Sequence, residues 1–233
     1  MSDPGNLGSP RHAVVVADGE VPARASLDAA WPGWAEAVGW VVAADGGAGA
    51  ALRLGLGLDL VVGDMDSIGP TDLARVRELG VALDIRPVDK DESDTEIALR
   101  AALERGAGAV TVLGALGGAR IDHALANVWL LALPAARGRP IVLLDARSRL
   151  RLFEGPGRAA LSGPAGDLVS LLPFDGPAIG VTTEALAYPL RDEDLPVGPS
   201  RGLSNVRIAP DAAVTVRAGR LLIIETRQEG AST

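Results

Sequence analysis

Strand-like and helix-like runs alternate through the first 145 residues, and this alternation leaves few architectures open. Runs rich in β-branched and aliphatic residues fall at "HAVVVAD" (12–18), "WVVAAD" (40–45), "DLVVGD" (59–64), "ALDIRP" (82–87), "AVTVLGA" (109–115) and "PIVLLDA" (140–146). Helix-like segments lie between them, at roughly 27–38, 48–55, 70–79, 93–105 and 121–136. The fourth has a start signal, Ser93-Asp-Thr-Glu96, ahead of an Ala/Leu-rich stretch. Strands that alternate with helices pack as a mostly parallel sheet flanked by helices, with ligands beyond the carboxyl ends of the strands.

After residue 147 the pattern changes. Helical periodicity fades, and Pro and Gly punctuate short apolar runs such as "DLVSLLPF", "AIGVTT" and "RLLIIETR". This spacing predicts an all-β sandwich or barrel, with "VRAGRLLII" a hairpin turning at Ala218-Gly219. The expected organisation is therefore an α/β domain over 11–146 and a β-sandwich domain over 147–228. At 233 residues and 48% hydrophobic, the chain can bury a core for each.

Composition removes several functions. There is no cysteine, so no disulfide framework or thiolate metal site, and a reducing, cytoplasmic setting is expected. The net charge of −8, without any Lys/Arg run, argues against nucleic acid as a partner. The opening "MSDPGNLGSP" reads as a flexible arm without the apolar core of a signal peptide. No apolar run approaches the roughly 20 residues of a membrane span.

The chemistry is concentrated where strands end. Asp45 closes the second run before Gly46 and Gly47, and Asp64 and Asp66 follow the third. Asp89, Asp91, Glu92 and Asp94 follow the fourth, and Asp122 and His123 the fifth. Any one of these alone reads as a turn or helix-cap residue. In a parallel sheet, however, all four groups share one edge. Carboxylates gathered there repel unless a cation holds them, and Mg²⁺ takes few carboxylates together with substrate phosphates. Lys90, the only lysine in the chain, lies in the densest acidic run, as a phosphate contact or as a salt-bridge partner. Glycines at 46, 47, 114, 117 and 118 let backbone N–H groups approach an anion.

Other readings of these residues fail. There is no G-x-x-x-x-G-K-[ST] loop, and "GGAGAAL" carries Leu52 where a dinucleotide fingerprint needs its third glycine. Two histidines without cysteine make a zinc site unexpected. Dehalogenase-type phosphatases also use Asp-X-Asp but with a following Gly-[TV], whereas Ser67-Ile68 follows here. His123 and Asn127 share a helix face and read as structural. The tryptophans at 31, 34, 40 and 129 read as core.

The blocks "ADGGAGAAL", "LDLVVGDMDSI", "DKDESDTEIAL", "LGALGGARIDHALANVWLL" and "GLSNV" resemble the thiamine pyrophosphokinase family, in family order, over about residues 12 to 226. Gly49 stands where the family often has Asn, and Ser93 where it usually has Thr. The resemblance implies a Mg²⁺-dependent transfer of the pyrophosphoryl group of ATP to the thiamine hydroxyl, giving thiamine diphosphate and AMP. It implies metal coordination by Asp64, Asp66 and Asp94, with Asp94 or Asp122 a candidate proton acceptor. Nucleotide contacts are expected from Asp45, Gly46, Gly47, Lys90, Asp91 and Arg120, and thiamine contacts from Ser204 and Asn205. A homodimer with active sites at the subunit interface is also implied. The alternatives are an inactive or differently specific nucleotide-binding relative, or a transferase that uses Asp-X-Asp for metal-dependent nucleotidyl or glycosyl transfer.

Overall fold

The computed structural model describes residues 11–228; the amino-terminal arm expected over 1–10 lies outside them. The chain divides into two compact units between Ala146 and Arg147. Among the described residues no helix is long and apolar enough to cross a membrane.

The first unit is a parallel sheet with helical crossovers. Its elements in order are β1 (Arg11–Val16), α1 (Arg24–Ala30), β2 (Val38–Ala44), α2 (Gly47–Arg53), β3 (Leu60–Gly63) and α3 (Pro70–Glu78). They continue with β4 (Ala82–Ile85), α4 (Asp94–Glu104), β5 (Ala107–Leu113), α5 (Ile121–Trp129) and β6 (Ile141–Leu144). The strand order is β4-β3-β2-β1-β5-β6, and every neighbouring pair is parallel. β1 is central, and Ala13 to Val16 are fully buried, which explains its unbroken apolar run. The order reverses between β1 and β5, so the crevice beyond their carboxyl ends is the switch point of the sheet.

Prolines end two helices sooner than periodicity alone suggests. The segment expected to be helical over 27–38 is helical only from Arg24 to Ala30, and β2 already begins at Val38. Pro32 disfavours helical dihedrals at Trp31, which turns into the core and donates its ring N–H to the Asp145 carbonyl at 2.7 Å. Likewise α5 stops at Trp129, and two short 3₁₀ turns, Leu130–Ala132 and Pro134–Ala136, replace its expected last turns. Ser93 does cap α4, accepting from the Glu96 N–H at 3.2 Å. The Glu96 carboxylate does not return the bond but pairs with Arg100 at 2.7 Å.

The second unit is antiparallel: β7 (Ser148–Glu154), β8 (Gly157–Ala160), β9 (Leu168–Glu184), β10 (Glu193–Leu195), β11 (Asn205–Val206), β12 (Ala213–Val216) and β13 (Ala218–Thr226). β9, 17 residues long, serves two ladders: its first half pairs with β13 and its second with β12. Leu161, Val169, Leu171, Val181, Val214 and Ile223 fill the core. The hairpin expected at Ala218-Gly219 does not form. β12 and β13 both pair with β9 and not with each other, and Gly219 marks a bulge in β13. Its φ of +88° and the Pro177 carbonyl, 2.4 Å from where a Cβ would stand, require glycine there.

Candidate active site

A cavity of about 670 Å³ opens at the switch point, lined by the loops that follow β1, β2, β3, β4 and β5. Asp45 and Asp64 line it and form a close acidic group with the exposed Asp66: one carboxylate oxygen from each lies within 4.8 Å of the others. Asp45 is buried, and its Oδ1 has no hydrogen-bond partner. An oxygen left in that state is costly unless a ligand satisfies it, and three converging carboxylates suit a hard divalent cation.

The backbone is shaped to bring them together. Asp45 and Met65 both adopt left-handed dihedrals, with φ of +42° and +68°. Asp tolerates that conformation, but an unbranched side chain such as Met65 gains nothing from it, and local strain of this kind gathers at functional turns. The turn lets the Asp66 N–H donate to Asp64 Oδ1 at 3.1 Å. The Asp45 carboxyl is pushed up to about 6, by burial first and then by its hydrogen bond with Asp64. Asp64 is held below the ordinary carboxylate range by the Asp66 N–H and next by Asp45. Two acids this close cannot both ionise freely.

Asp94, expected beside Asp64 and Asp66, lies outside this group. Its Oδ1 meets the Lys90 ammonium at 3.0 Å, and Lys90 also donates to the Pro87 carbonyl at 3.1 Å. The lone lysine thus faces the cavity as part of an ion pair. Arg120 grips Asp122 through two hydrogen bonds of 3.0 and 2.5 Å, which holds the Asp122 carboxyl well below its usual range. Both residues are exposed, and Arg120 lines the cavity together with the exposed Asp91. Gly46 and Gly47 are needed for close packing: a Cβ on Gly47 would lie 2.2 Å from the Val16 carbonyl.

The matches to known proteins follow this geometry. The family model "Thiamin pyrophosphokinase, catalytic domain" matches residues 33–143, and "Thiamin pyrophosphokinase, vitamin B1 binding domain" matches 160–223. The thiamin pyrophosphokinase family protein of Enterococcus faecalis is 30% identical, covers 94% of this chain and 100% of its own, and superposes with a TM-score of 0.77. The chain belongs to the thiamin pyrophosphokinase family. The thiamine pyrophosphokinase of Bacillus subtilis is 28% identical over 165 residues, 70% of this chain and 76% of that protein. Its crystal structure shares the fold, with a TM-score of 0.82 over 94% of this chain and 100% of that one.

The two units hold the residues expected at the site differently. Asp45, Asp64, Asp66, Lys90, Asp91, Asp94 and Arg120 all line or adjoin one cavity of the first unit. In the second unit Ser204 is exposed with φ of +54°, whereas Asn205 is buried. The Asn205 amide is fully engaged by backbone: its Nδ2 donates to the Tyr188 carbonyl at 2.6 Å, and its Oδ1 accepts from Tyr188 and Val206, each at 2.9 Å.

Two cavity residues escaped the sequence reading. Asp18 leaves the central strand in Ala17-Asp18-Gly19, the same tripeptide as Ala44-Asp45-Gly46 on the adjacent β2. That repeated strand-end tripeptide was the available signal. Ser67, considered only as the residue that follows the Asp-X-Asp pair, lines the cavity, and its hydroxyl donates to Asp66 Oδ1 at 3.1 Å. Among the tryptophans, Trp31 and Trp34 are core, but Trp129 is 60% exposed, a correction considered below. Asn127 is structural in part: buried at the cavity wall, it donates to the Ala115 carbonyl at 3.0 Å.

Proposed function

We propose that this protein transfers the pyrophosphoryl group of ATP to the hydroxyl of thiamine, with Mg²⁺, giving thiamine diphosphate and AMP. The observation that carries the reading is the three-carboxylate group at the switch-point cavity, with a buried Asp45 oxygen lacking a partner, in a chain of this family. Asp45, Asp64 and Asp66 would hold the cation; Asp94 joins them if Lys90 releases it. Bound there, Mg²⁺ neutralises triphosphate charge and stabilises the leaving AMP.

The remaining work belongs to the chain's own residues. The thiamine hydroxyl attacks the β-phosphorus, the bond to the α-phosphate oxygen breaks, and positioning carries most of the rate. Lys90 and Arg120 supply positive charge at the cavity for the phosphates, with Asp91 beside them. Gly46 and Gly47, expected to contact the nucleotide, pack against Asp18 and the Val16 carbonyl and are not among the residues that line the cavity. Both acids considered for the hydroxyl proton are ion-paired, Asp94 with Lys90 and Asp122 with Arg120, and whichever accepts it must first be released by its partner. Ser204, exposed in a left-handed turn, is the better thiamine contact of the pair Ser204 and Asn205.

The same reading makes the protein a cytoplasmic homodimer with active sites at the interface. Support comes from α5, which begins beside Arg120 and Asp122 at the cavity mouth. Ile121, Leu125 and Trp129, four residues apart and so on one helical face, are 72%, 50% and 60% exposed. A helix so apolar is normally covered.

Product analysis tests the reaction: incubation with ATP, Mg²⁺ and thiamine should yield thiamine diphosphate and AMP. ADP as the nucleotide product would overturn it. Asp64→Asn and Asp66→Asn should each remain folded and lose most turnover. Near wild-type kcat at saturating Mg²⁺ in either variant would remove the metal assignment.

A further inference from the structure

Two side chains of α5 line the cavity on one helical face: His123 in the first turn and Asn127 four residues on. This face is opposite the exposed Ile121, Leu125 and Trp129. Asn127 is buried, and its bond to the Ala115 carbonyl fixes the cavity wall. His123, expected from the sequence to be structural like its neighbour, is exposed. Among the described residues its ring makes no hydrogen bond or ion pair.

The other ionisable side chains that face the cavity are engaged or poorly suited to take a proton. Asp45 and Asp64 belong to the cation group, Asp94 is tied to Lys90, and Arg120 is tied to Asp122. Ammonium and guanidinium groups already carry their protons. Asp18, from the end of β1, and Asp91 and Glu92, from the loop before α4, complete the set. A carboxylate is a weak base toward an alcohol, whereas imidazole is the side chain that exchanges its proton nearest neutral pH. The cavity holds one imidazole, and no partner has to release it before it acts.

We propose that His123 accepts the proton of the thiamine hydroxyl during pyrophosphoryl transfer. The inference rests on the reaction proposed above. The hydroxyl oxygen bonds to the β-phosphorus while its proton passes to an unprotonated ring nitrogen of His123. The bond from the β-phosphorus to the oxygen it shares with the α-phosphorus breaks, and that oxygen leaves with the electron pair as part of AMP. The imidazolium then gives its proton to water. Neither Asp94 nor Asp122 has to leave its ion pair to take the proton.

The test compares kcat/KM for thiamine in wild type and His123→Gln between about pH 5.5 and 8.5, at saturating ATP and Mg²⁺. A positioned proton acceptor contributes about 100-fold or more, so the variant should be slower by about that factor near pH 8. The gap should narrow as pH falls, because a protonated imidazole has no lone pair to accept with. A loss of the same size at every pH, as a packing role predicts, would overturn the proposal. So would a gap that widens in acid, the sign of an imidazolium touching a phosphate. Calorimetric titration with Mg²⁺ and α,β-methylene-ATP, which cannot be cleaved at the reacting bond, gives a second readout. His123→Gln should bind it as wild type does, and an affinity loss as large as the kinetic one would make His123 a nucleotide contact instead. If the glutamine variant melts below wild type, His123→Asn takes its place in both measurements. Wild type that makes no AMP and thiamine diphosphate sinks the proposed function and this inference together. Wild type that makes both, with His123→Gln equally fast near pH 8, sinks the inference alone.

Discussion

Asp45 shows how one residue's surroundings set its behaviour. Its carboxyl is pushed from 3.8 up to about 6, by burial first and the Asp64 hydrogen bond second. A folded-state value above the unfolded one favours the protonated form, so this contribution to stability is full below about pH 4 and is lost as pH rises through about 6. A shift of that size corresponds to at most about 3 kcal/mol, and the lowered Asp64 offsets part of it. Without divalent cation, denaturant unfolding should show stability falling between about pH 4 and 6. A cation must displace the same proton, so the rise in melting temperature on adding Mg²⁺ should be larger at pH 7.5 than at pH 5. An equal Mg²⁺ effect at both pH values would contradict the raised Asp45 carboxyl. Asn205 is a second case. Asn205→Ala strips partners from both the N–H and the carbonyl of Tyr188, so stability should drop by about 1–3 kcal/mol. A raised KM for thiamine with an unchanged melting temperature would instead assign that amide to the substrate.

Among the elements, the carboxyl-terminal unit is tied by charge as well as by apolar packing. Glu225 on β13 is buried; it accepts from Arg149 on β7 at 2.6 Å, from Arg207 at 3.2 Å and from the Ser162 N–H at 2.7 Å. Arg207 is buried too and also donates to the Leu161 carbonyl. Removing one partner of a buried pair strands the other in a poor solvent. Glu225→Leu should therefore lower unfolding free energy by about 3–5 kcal/mol. Glu184 and Arg158 make an equally short contact, 2.8 Å, but at the surface. Glu184→Ala should leave the melting temperature within measurement error, because water screens an exposed pair. Comparing the two variants by denaturant unfolding checks burial, and not distance, as the deciding quantity. The same unit shows a limit of local pattern. "VRAGRLLII" carries a hairpin's composition, but the long β9 offers both strands a better-matched partner, so they join different ladders.

For the whole molecule, the exposed face of α5 is the feature that a single chain leaves unexplained. Periodicity marks α5 as an apolar helix, and such a helix is expected to be buried, but Asn127 is its only buried residue. If a second copy covers Ile121, Leu125 and Trp129, the double variant Leu125→Glu, Trp129→Glu should run as a monomer by light scattering with an unchanged circular dichroism spectrum. Turnover should fall with it, since the active sites are read as lying at the interface. A wild-type protein that is monomeric at micromolar concentration, or a double variant that stays dimeric, would count against the assembly.

The type and order of the elements were legible in the linear chain because they depend on near neighbours: runs of Val and Leu, and a Ser93 cap ahead of an Ala/Leu-rich stretch. That order also places the strand ends, and so Asp45, Asp64, Asp66 and Asp94, on one edge of a parallel sheet. Which of these acids meet each other was not legible. It depends on strand adjacency and on left-handed turns at Asp45 and Met65, which bring together oxygens from residues far apart in the chain. Lys90 with Asp94 and Arg120 with Asp122 are pairs between near neighbours in the chain, and a salt-bridge role for Lys90 was already one of its two sequence readings. Asp18 stayed hidden until β1 was seen beside β2, because only that neighbourhood carries it to Gly46.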